Sequence, residues 1–273
     1  MKIPEQQYDS VKATDVDDHK TECKYKYWTE EFSGNRALLD AVRTVESRLG
    51  QSFTRSQMVD FYKSEKIPIV TKFIAAMMWG HEARAGSRRD SRGPWKVSKM
   101  LADMGTATRV IGNVQVDTPE SIARSYNEFK LDRCGPNFFT KHFYFFGKAR
   151  GIEKYPLIFD DRVAGGILKA QGIGVDVLEV VRPSAQRSAE AYMRYFEFVH
   201  REAAKIECQP DQVEYYLFNL QPQPLASTSP EGFPLPGGYR FSEQELHRSF
   251  CRVAQISTRD STQAQGRTCH SAR

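Results

Sequence analysis

The segment LDRCGPNFFTKHFYFFGKARGIEKYPLIFDDRVAGGILKA, residues 131–170, decides the fold of this chain. Residues 135–137, Gly-Pro-Asn, predict a turn, and we expect a helix from Phe138 onward. Phenylalanines occupy nearly every face of that helix, which indicates that it is buried. Lys141 lies in the first turns of the helix.

Lys141 is the residue in this helix that is best suited to take part in catalysis. Burial disfavours the charged ammonium, and so does the positive end of the helix dipole. A neutral amine is a nucleophile that attacks a sugar anomeric carbon or forms a Schiff base. The competing interpretation is that the Lys141 side chain extends along its stem to the surface.

Asp160 is the second residue of interest, nineteen positions after Lys141. A connection of about eight residues, with a reach of about 26 Å, can return the chain to the start of the lysine helix. Asp160 or Asp161 then caps the next helix, and a carboxylate there can face Lys141. A capping role alone needs no catalysis, and the two roles are compatible.

Helical periodicity dominates on both sides of this segment. We expect helices after Asn35 and after Thr54, and a further one after Pro68, where residues 69–80 are apolar almost all round and therefore buried. Residues 106–117 alternate weakly and predict a short strand or a loop. The predicted fold class is all-α.

The chain divides into three parts by composition. Residues 1–35 are polar and carry mixed charge, which indicates an N-terminal arm. Residues 36–220 form the helical domain. Pro, Gly, Ser, Thr and Gln dominate residues 221–273, so we expect a flexible C-terminal tail.

The overall composition allows a folded, DNA-binding protein without requiring one. Of the 273 residues 40% are hydrophobic, enough for a core, and a net charge of +5 permits a nucleic-acid partner. The five cysteines are scattered without a CxxC pair, which disfavours a zinc site or a disulfide framework. No signal peptide and no long apolar run is evident, so we expect a cytoplasmic protein with no membrane association.

The turn with glycine, Lys141, and Asp160 in an apolar-Asp-x-x-Val setting together resemble the helix-hairpin-helix DNA glycosylases. The closest resemblance is to the 8-oxoguanine DNA glycosylases and their prokaryotic relatives. It implies two helical subdomains around a cleft, with Lys141 as the nucleophile and Asp160 as the assisting carboxylate. Asp161, one position on, is the second choice for the carboxylate.

The chain departs from that family pattern at the hairpin, where Gly135 is the one glycine that remains. A cation bound by hairpin carbonyls is therefore not implied, and neither a metal nor another cofactor is expected. The chain is also similar to the bacteriophage replication inhibition DNA glycosylases. These prokaryotic antiviral enzymes remove glucosylated hydroxymethylcytosine from phage DNA.

The resemblance implies a monomer acting on double-stranded DNA that contains a modified base, and it suggests where the DNA contacts lie. Amides around Gly135 and Asn137 would bind a phosphate. Trp79, His81 and Trp95 would line the base pocket, or belong to the core, and we expect His142 to be a core histidine. A basic stretch would grip phosphates, or be merely solvated; its cationic residues are Arg84, Arg88, Arg89, Arg92 and Lys96.

Three functional alternatives remain open. The enzyme would excise either the glucosylated cytosine or an oxidised purine such as 8-oxoguanine, and strand nicking would follow if it is also an AP lyase. A catalytically silent reader of modified DNA would use the same cleft. A helical interaction module with no DNA role would leave the basic stretch simply solvated.

Overall fold

A computed structural model describes residues 1–81, 92–172, 174–181 and 188–220 of the chain. These residues form an all-α fold, as predicted, with one small antiparallel sheet in which Thr21 of β1 (Thr21–Glu22) pairs with Phe53 of β2 (Ser52–Phe53). In chain order the helices are α1 (Tyr8–Lys12), α2 (Tyr25–Glu31), α3 (Arg36–Leu49), α4 (Arg55–Lys63), α5 (Ile69–Gly80), α6 (Arg92–Met100), α7 (Met104–Gly112), α8 (Pro119–Glu128), α9 (Pro136–Ala149), α10 (Asp161–Gln171), α11 (Val175–Val181), α12 (Ala189–Ile206) and α13 (Pro210–Asn219).

The helix ends follow from local capping chemistry. Asn35 accepts a hydrogen bond from the Leu38 amide at the start of α3, and Gly50 ends that helix with a φ of 70° that glycine adopts without strain. Thr54 and Gln57 form a reciprocal capping box at the start of α4. These ends confirm the helices predicted after Asn35 and Thr54.

Helix α5 is the centre of the first half of the molecule. Every residue from Thr71 to Trp79 is buried, as the apolar sequence predicts. The helix packs against α3, α7 and α9, and α9 also packs against α4. The position of α9 beside α5 brings the lysine-bearing segment next to the C-terminal end of α5.

Helices α10, α12 and α13 form the centre of the second half, and α8 packs against α12. Helices α10 and α13 approach unusually closely at Gly166, where an added Cβ would lie 1.9 Å from the Leu217 carbonyl oxygen. Only a residue without a side chain fits there. The two groups of helices meet where α10 begins beside α9.

The expectation of a strand or loop for residues 106–117 is wrong over most of its length. Residues up to Gly112 belong to α7, whose N-cap Asp103 accepts a hydrogen bond from the Thr106 amide. Ala107 and Ile111, one helical turn apart, are the buried residues of α7. The sequence prediction followed a weak alternation of apolar and polar residues and missed the four-residue spacing of these two buried residues.

Residues 1–35, predicted as an arm, lie against the helical body. Ile3 and Val11 are fully buried, and the Ile3 amide donates to Glu202 Oε2 at 2.7 Å. Residues 221–273, predicted as a flexible tail, lie outside the described residues. None of the helices described here has the length and apolar character needed to cross a membrane.

Candidate active site

Lys141 and Asp160 are in direct contact. Lys141 Nζ lies 3.2 Å from Asp160 Oδ2 and donates a second hydrogen bond to the Asn137 carbonyl oxygen at 2.5 Å. The two side chains are 7% and 15% exposed, so Lys141 does not extend into solvent. Both partners are acceptors, so the Lys141 amino group donates hydrogen bonds to a carboxylate and to a backbone carbonyl.

The path of the Lys141 side chain depends on a neighbouring glycine. Side chains of a helix point toward its N-terminus, so the Lys141 stem runs back along α9 toward Asn137 and across the end of α5. A Cβ added at Gly80 would lie 2.7 Å from Lys141 Cδ and 2.9 Å from Cε. Gly80 therefore provides the space through which the stem reaches Asp160.

The two oxygens of Asp160 have different partners. Oδ1 caps α10 by accepting hydrogen bonds from the Arg162 and Val163 amides at 3.1 Å each, while Oδ2 faces Lys141. Burial acts to raise the pKa of the Asp160 carboxyl, but Lys141 and the Val163 amide together outweigh it, and the pKa lies below its ordinary value. Asp160 is therefore an ionised carboxylate, held in one orientation.

The extended residues before Asp160 are tied to the rest of the site by hydroxyl groups. Tyr192 OH accepts from the Leu157 amide at 3.0 Å and donates to its carbonyl oxygen at 2.9 Å. Tyr195 OH donates to the Ile158 carbonyl oxygen at 2.7 Å. Thr140 Oγ1, one residue before Lys141, accepts from the Phe159 amide at 3.2 Å. We call residues 157–159, with these three hydrogen-bonded contacts, the strap.

A buried ion pair lies behind the site. Arg55 of α4 and Glu214 of α13 are both about fully buried and form two hydrogen bonds, of 2.6 and 3.2 Å. Burial raises the pKa of the Glu214 carboxyl despite Arg55, and the nearby carboxylate of Asp160 raises it further. The pair joins the two groups of helices, and its negative member lies within electrostatic range of Asp160.

A cleft of about 780 Å³, a size that suits a small-molecule or nucleotide ligand, is lined by residues next to the ion pair, but Lys141 and Asp160 themselves are not among its lining residues. It lies between the α8–α9 connection and the start of α10. Asn137, whose carbonyl oxygen contacts Lys141, is one of its lining residues, and so is Asp161. Asn137 and Asp161 therefore connect the cleft to the ion pair of Lys141 with Asp160.

The residues predicted for phosphate contact fall into two groups. Gly135 is the N-cap of α9 and, with Asn137, lines the cleft; the helix has no side-chain cap there. Lys96 Nζ lies 5.4 Å from the Phe138 ring centroid, close to the same cleft. Arg84, Arg88 and Arg89 lie outside the described residues, and Arg92 begins α6 although its side chain is not described.

The three residues predicted for the base pocket occupy different surroundings. The Trp79 ring is 2% exposed and packs against His19 and Phe145 at centroid distances of 4.2 and 5.3 Å, deep in the core. Trp95 is 41% exposed on α6. Only His81 is near Lys141, and burial together with Lys141 and Lys96 lowers the pKa of its imidazole to about 4.

His142 is a core histidine, as the sequence predicts. It is fully buried, and its Nδ1 lies 2.8 Å from Tyr62 OH, which donates its one proton to the Lys72 carbonyl oxygen at 2.8 Å. The histidine therefore donates from Nδ1. Burial lowers the pKa of His142 to about 3, so the ring is neutral at pH 7.

Comparison with known proteins identifies the family of this chain. A family model described as "Putative 8-oxoguanine DNA glycosylase OGG-like protein" matches residues 14–218, or 205 of the 273 residues. The chain belongs to this OGG-like glycosylase family. Neither the comparison with curated proteins nor the comparison with solved structures returned a match.

Membership of the OGG-like glycosylase family confirms the resemblance inferred from residues 131–170. It supports DNA glycosylase function at a general level and, with it, binding to DNA. The matched range begins before α2 and ends within α13, so it includes α9, α10 and the strap. The Lys141–Asp160 pair therefore lies inside the part of the chain that carries the family relationship.

In this OGG-like family member, several residues near the Lys141–Asp160 pair could not be predicted from the sequence. Gly80 ends an apolar helix and gives no sign that a lysine crosses it. Tyr192 and Tyr195 are three residues apart on α12, a spacing that indicates one buried face but not a hydroxyl contact with a distant segment. Two tyrosines on one buried helix face do predict hydrogen bonds from their hydroxyl groups, because a buried tyrosine hydroxyl usually has a hydrogen-bond partner.

Proposed function

We propose that this chain is a DNA glycosylase that flips a modified base out of the duplex and excises it with Lys141 as the nucleophile. The observation that carries the proposal is the 3.2 Å contact between Lys141 Nζ and Asp160 Oδ2 beside a nucleotide-sized cleft. Membership of the OGG-like family supports the same activity at a general level. Unstacking a base and admitting it to such a cleft is how enzymes reach atoms that the duplex conceals.

The proposed reaction begins with transfer of one proton from the Lys141 side chain to water, so that Asp160 keeps its negative charge. The amine then attacks C1′ of the sugar, and the bond from C1′ to the base breaks with its electron pair leaving on the base, which takes up a proton. Asp160 stabilises the positive charge that develops on the sugar. Because Oδ1 is occupied by the α10 cap, Oδ2 is the oxygen that serves this role.

Strand nicking is a further part of the proposal. Opening of the sugar ring converts the C1′–nitrogen adduct into an imine, which makes the neighbouring C2′ proton acidic. Removal of that proton eliminates the 3′ phosphate and cuts the strand, and water then releases Lys141 from the sugar fragment. Loss of the base without any nicking would show that the enzyme is a glycosylase alone.

Two modified bases are the proposed substrates. The family description favours 8-oxoguanine, and the likeness to antiviral glycosylases favours glucosylated hydroxymethylcytosine of phage DNA, in which case the enzyme acts in defence. Mass spectrometry of the bases released from normal, oxidised and glucosylated DNA distinguishes the two. Release of unmodified bases alone would contradict both.

Borohydride trapping tests the catalytic role of Lys141. Reduction of the imine links the enzyme permanently to DNA, and we expect the adduct on Lys141 by peptide mass spectrometry. Lys141→Gln should give no adduct and no base release. Lys63→Gln is the control, because it removes an exposed lysine of α4 that does not line the cleft and should leave trapping intact. An enzyme that binds modified DNA without release or adduct would be a reader, and the proposal would fail.

A further inference from the structure

Trp95 is an exposed aromatic residue in a chain whose other tryptophans are buried. It is 41% exposed on α6, whereas Trp28 and Trp79 are 4% and 2% exposed. Among the described residues one other large apolar side chain, Val175, is comparably exposed, at 48%. An exposed indole has a large apolar face in water, and such a face commonly marks a contact surface.

An arginine from a different segment lies over this indole. The guanidinium carbon of Arg133 is 5.1 Å from the Trp95 ring centroid, within range of a cation–π contact. Arg133 belongs to the α8–α9 connection and has a φ of 58°, in the left-handed region that a non-glycine residue rarely adopts. Strained backbone of this kind is found preferentially at functional sites.

The surroundings of the two side chains have the chemistry of a nucleotide contact. Arg133 lines the cleft described above together with Lys130 and Phe138, and Lys96 lies over the Phe138 ring. Cations next to aromatic faces are the elements from which proteins build sites for unstacked bases. Asp132, whose Oδ2 is 3.2 Å from Arg133 Nε, is the opposing charge, and at 75% exposure it is well solvated.

We propose that Trp95 and Arg133 form a second nucleotide contact, outside the Lys141–Asp160 pair. In the free protein the guanidinium covers the indole. In the complex an unpaired base stacks on the indole in its place, and the guanidinium turns to a neighbouring phosphate. The proposal rests on the proposed function only in that DNA is the substrate; it requires no base release.

Tryptophan emission tests the stacking directly, because Trp95 is the tryptophan that DNA can reach. Emission of the wild-type protein is followed as DNA containing one unpaired base is added, and the same titration is run on Trp95→Phe. Base stacking should quench the wild-type signal, and the quenching should be absent from the variant. Equal quenching in both proteins would overturn the proposal, as would no quenching when anisotropy of labelled DNA shows that the complex has formed.

Affinity provides the second measurement. Trp95→Ala should weaken binding of DNA with an unpaired base about tenfold, while fully paired duplex of the same sequence changes less than about twofold. Trp95→Phe should restore most of the loss, and Val175→Ala is the control for an exposed apolar residue. Equal loss for both DNAs, with a lower unfolding midpoint, would mean that Trp95 only attaches α6 to the α8–α9 connection, and the proposal would fail.

The experiments on Lys141 and those on Trp95 test two separate proposals, and either proposal can be wrong without the other. Lys141→Gln should keep the Trp95 quenching although it releases no base. Normal base release by Trp95→Ala, with unchanged affinity for DNA carrying an unpaired base, would remove the second contact and leave the proposed glycosylase intact. Absence of any salt-dependent DNA binding would contradict both.

Discussion

Gly80 and Lys141 are in contact across two helices, with the lysine stem lying where a side chain at position 80 would be. Gly80→Ala would place a methyl group 2.7 Å from Lys141 Cδ, so the lysine must move. A displacement of about 1 Å at a reacting atom costs about a hundredfold in rate. We therefore expect base release under single-turnover conditions to fall about a hundredfold.

Gly112→Ala is the control for that substitution. Gly112 also ends a helix, and a Cβ there meets nothing within 4 Å. The control should keep full activity. Loss of activity in both variants, or in neither, would contradict the assignment of Gly80 as the residue that makes room for Lys141.

Asp160 can be tested by separating its two roles. Asn is as good an N-cap as Asp, so Asp160→Asn should keep the α10 cap and lose only the stability that the ion pair with Lys141 contributes. It lacks the negative charge, and we expect base release to fall by about a hundredfold or more. Urea unfolding and single-turnover kinetics measure the two effects.

Asp160→Ala completes this comparison. It should lose activity to the same extent and also lose about 1 to 2 kcal/mol of stability, since the Arg162 and Val163 amides then have no acceptor. Full activity in Asp160→Asn would show that the carboxylate acts only as a cap.

The close crossing of α10 and α13 predicts a large loss of stability from a substitution outside the candidate active site. Gly166→Ala would bring a methyl group to 1.9 Å from the Leu217 carbonyl oxygen, a backbone atom that cannot turn aside. The helices must separate, and we expect the free energy of unfolding to drop by at least about 3 kcal/mol. Urea denaturation of Gly166→Ala and Gly112→Ala measures this; a drop below about 1 kcal/mol would contradict the close crossing.

Acid should destabilise the protein through its buried histidines. The pKa of His142 is about 3 in the folded protein and about 6.5 when unfolded. Its contribution to stability is therefore complete above pH 6.5 and is lost as the pH falls toward 3, because the unfolded chain binds the proton more readily. Between pH 6.5 and 5 the loss is about 2 kcal/mol.

His142→Gln tests this assignment, since glutamine can still donate to Tyr62 but does not titrate. The variant should show a smaller fall in stability between pH 6.5 and 5 than the wild type. His81, with a pKa of about 4, contributes a similar slope that remains in the variant. An unchanged pH dependence in His142→Gln would mean that His142 is not held neutral.

The candidate site illustrates what the sequence can and cannot predict. The cap at α10 and the return of the chain toward Lys141 follow from local patterns and from chain length, whereas the choice of Lys141 and Asp160 as the candidate pair comes from the resemblance to the glycosylase family. Other contacts depend on how distant segments pack, and a single sequence carries no such information. They are the contacts of Gly80, of Tyr192 and of the Arg55–Glu214 pair. The sequence leaves Trp79 open between the base pocket and the core, and the contacts of its ring lie in the core.

The rigidity of the strap affects which partner, DNA or protein, has to deform when the two bind. Three hydroxyl groups hold the backbone leading to Asp160, and two amides hold its carboxylate. A carboxylate restrained at so many points does not travel to meet a substrate. In the proposed mechanism the deformation needed to join sugar and lysine therefore falls on the duplex. Lesions or modifications that make the DNA helix easier to bend or open should then be processed fastest, whatever the chemical identity of the base.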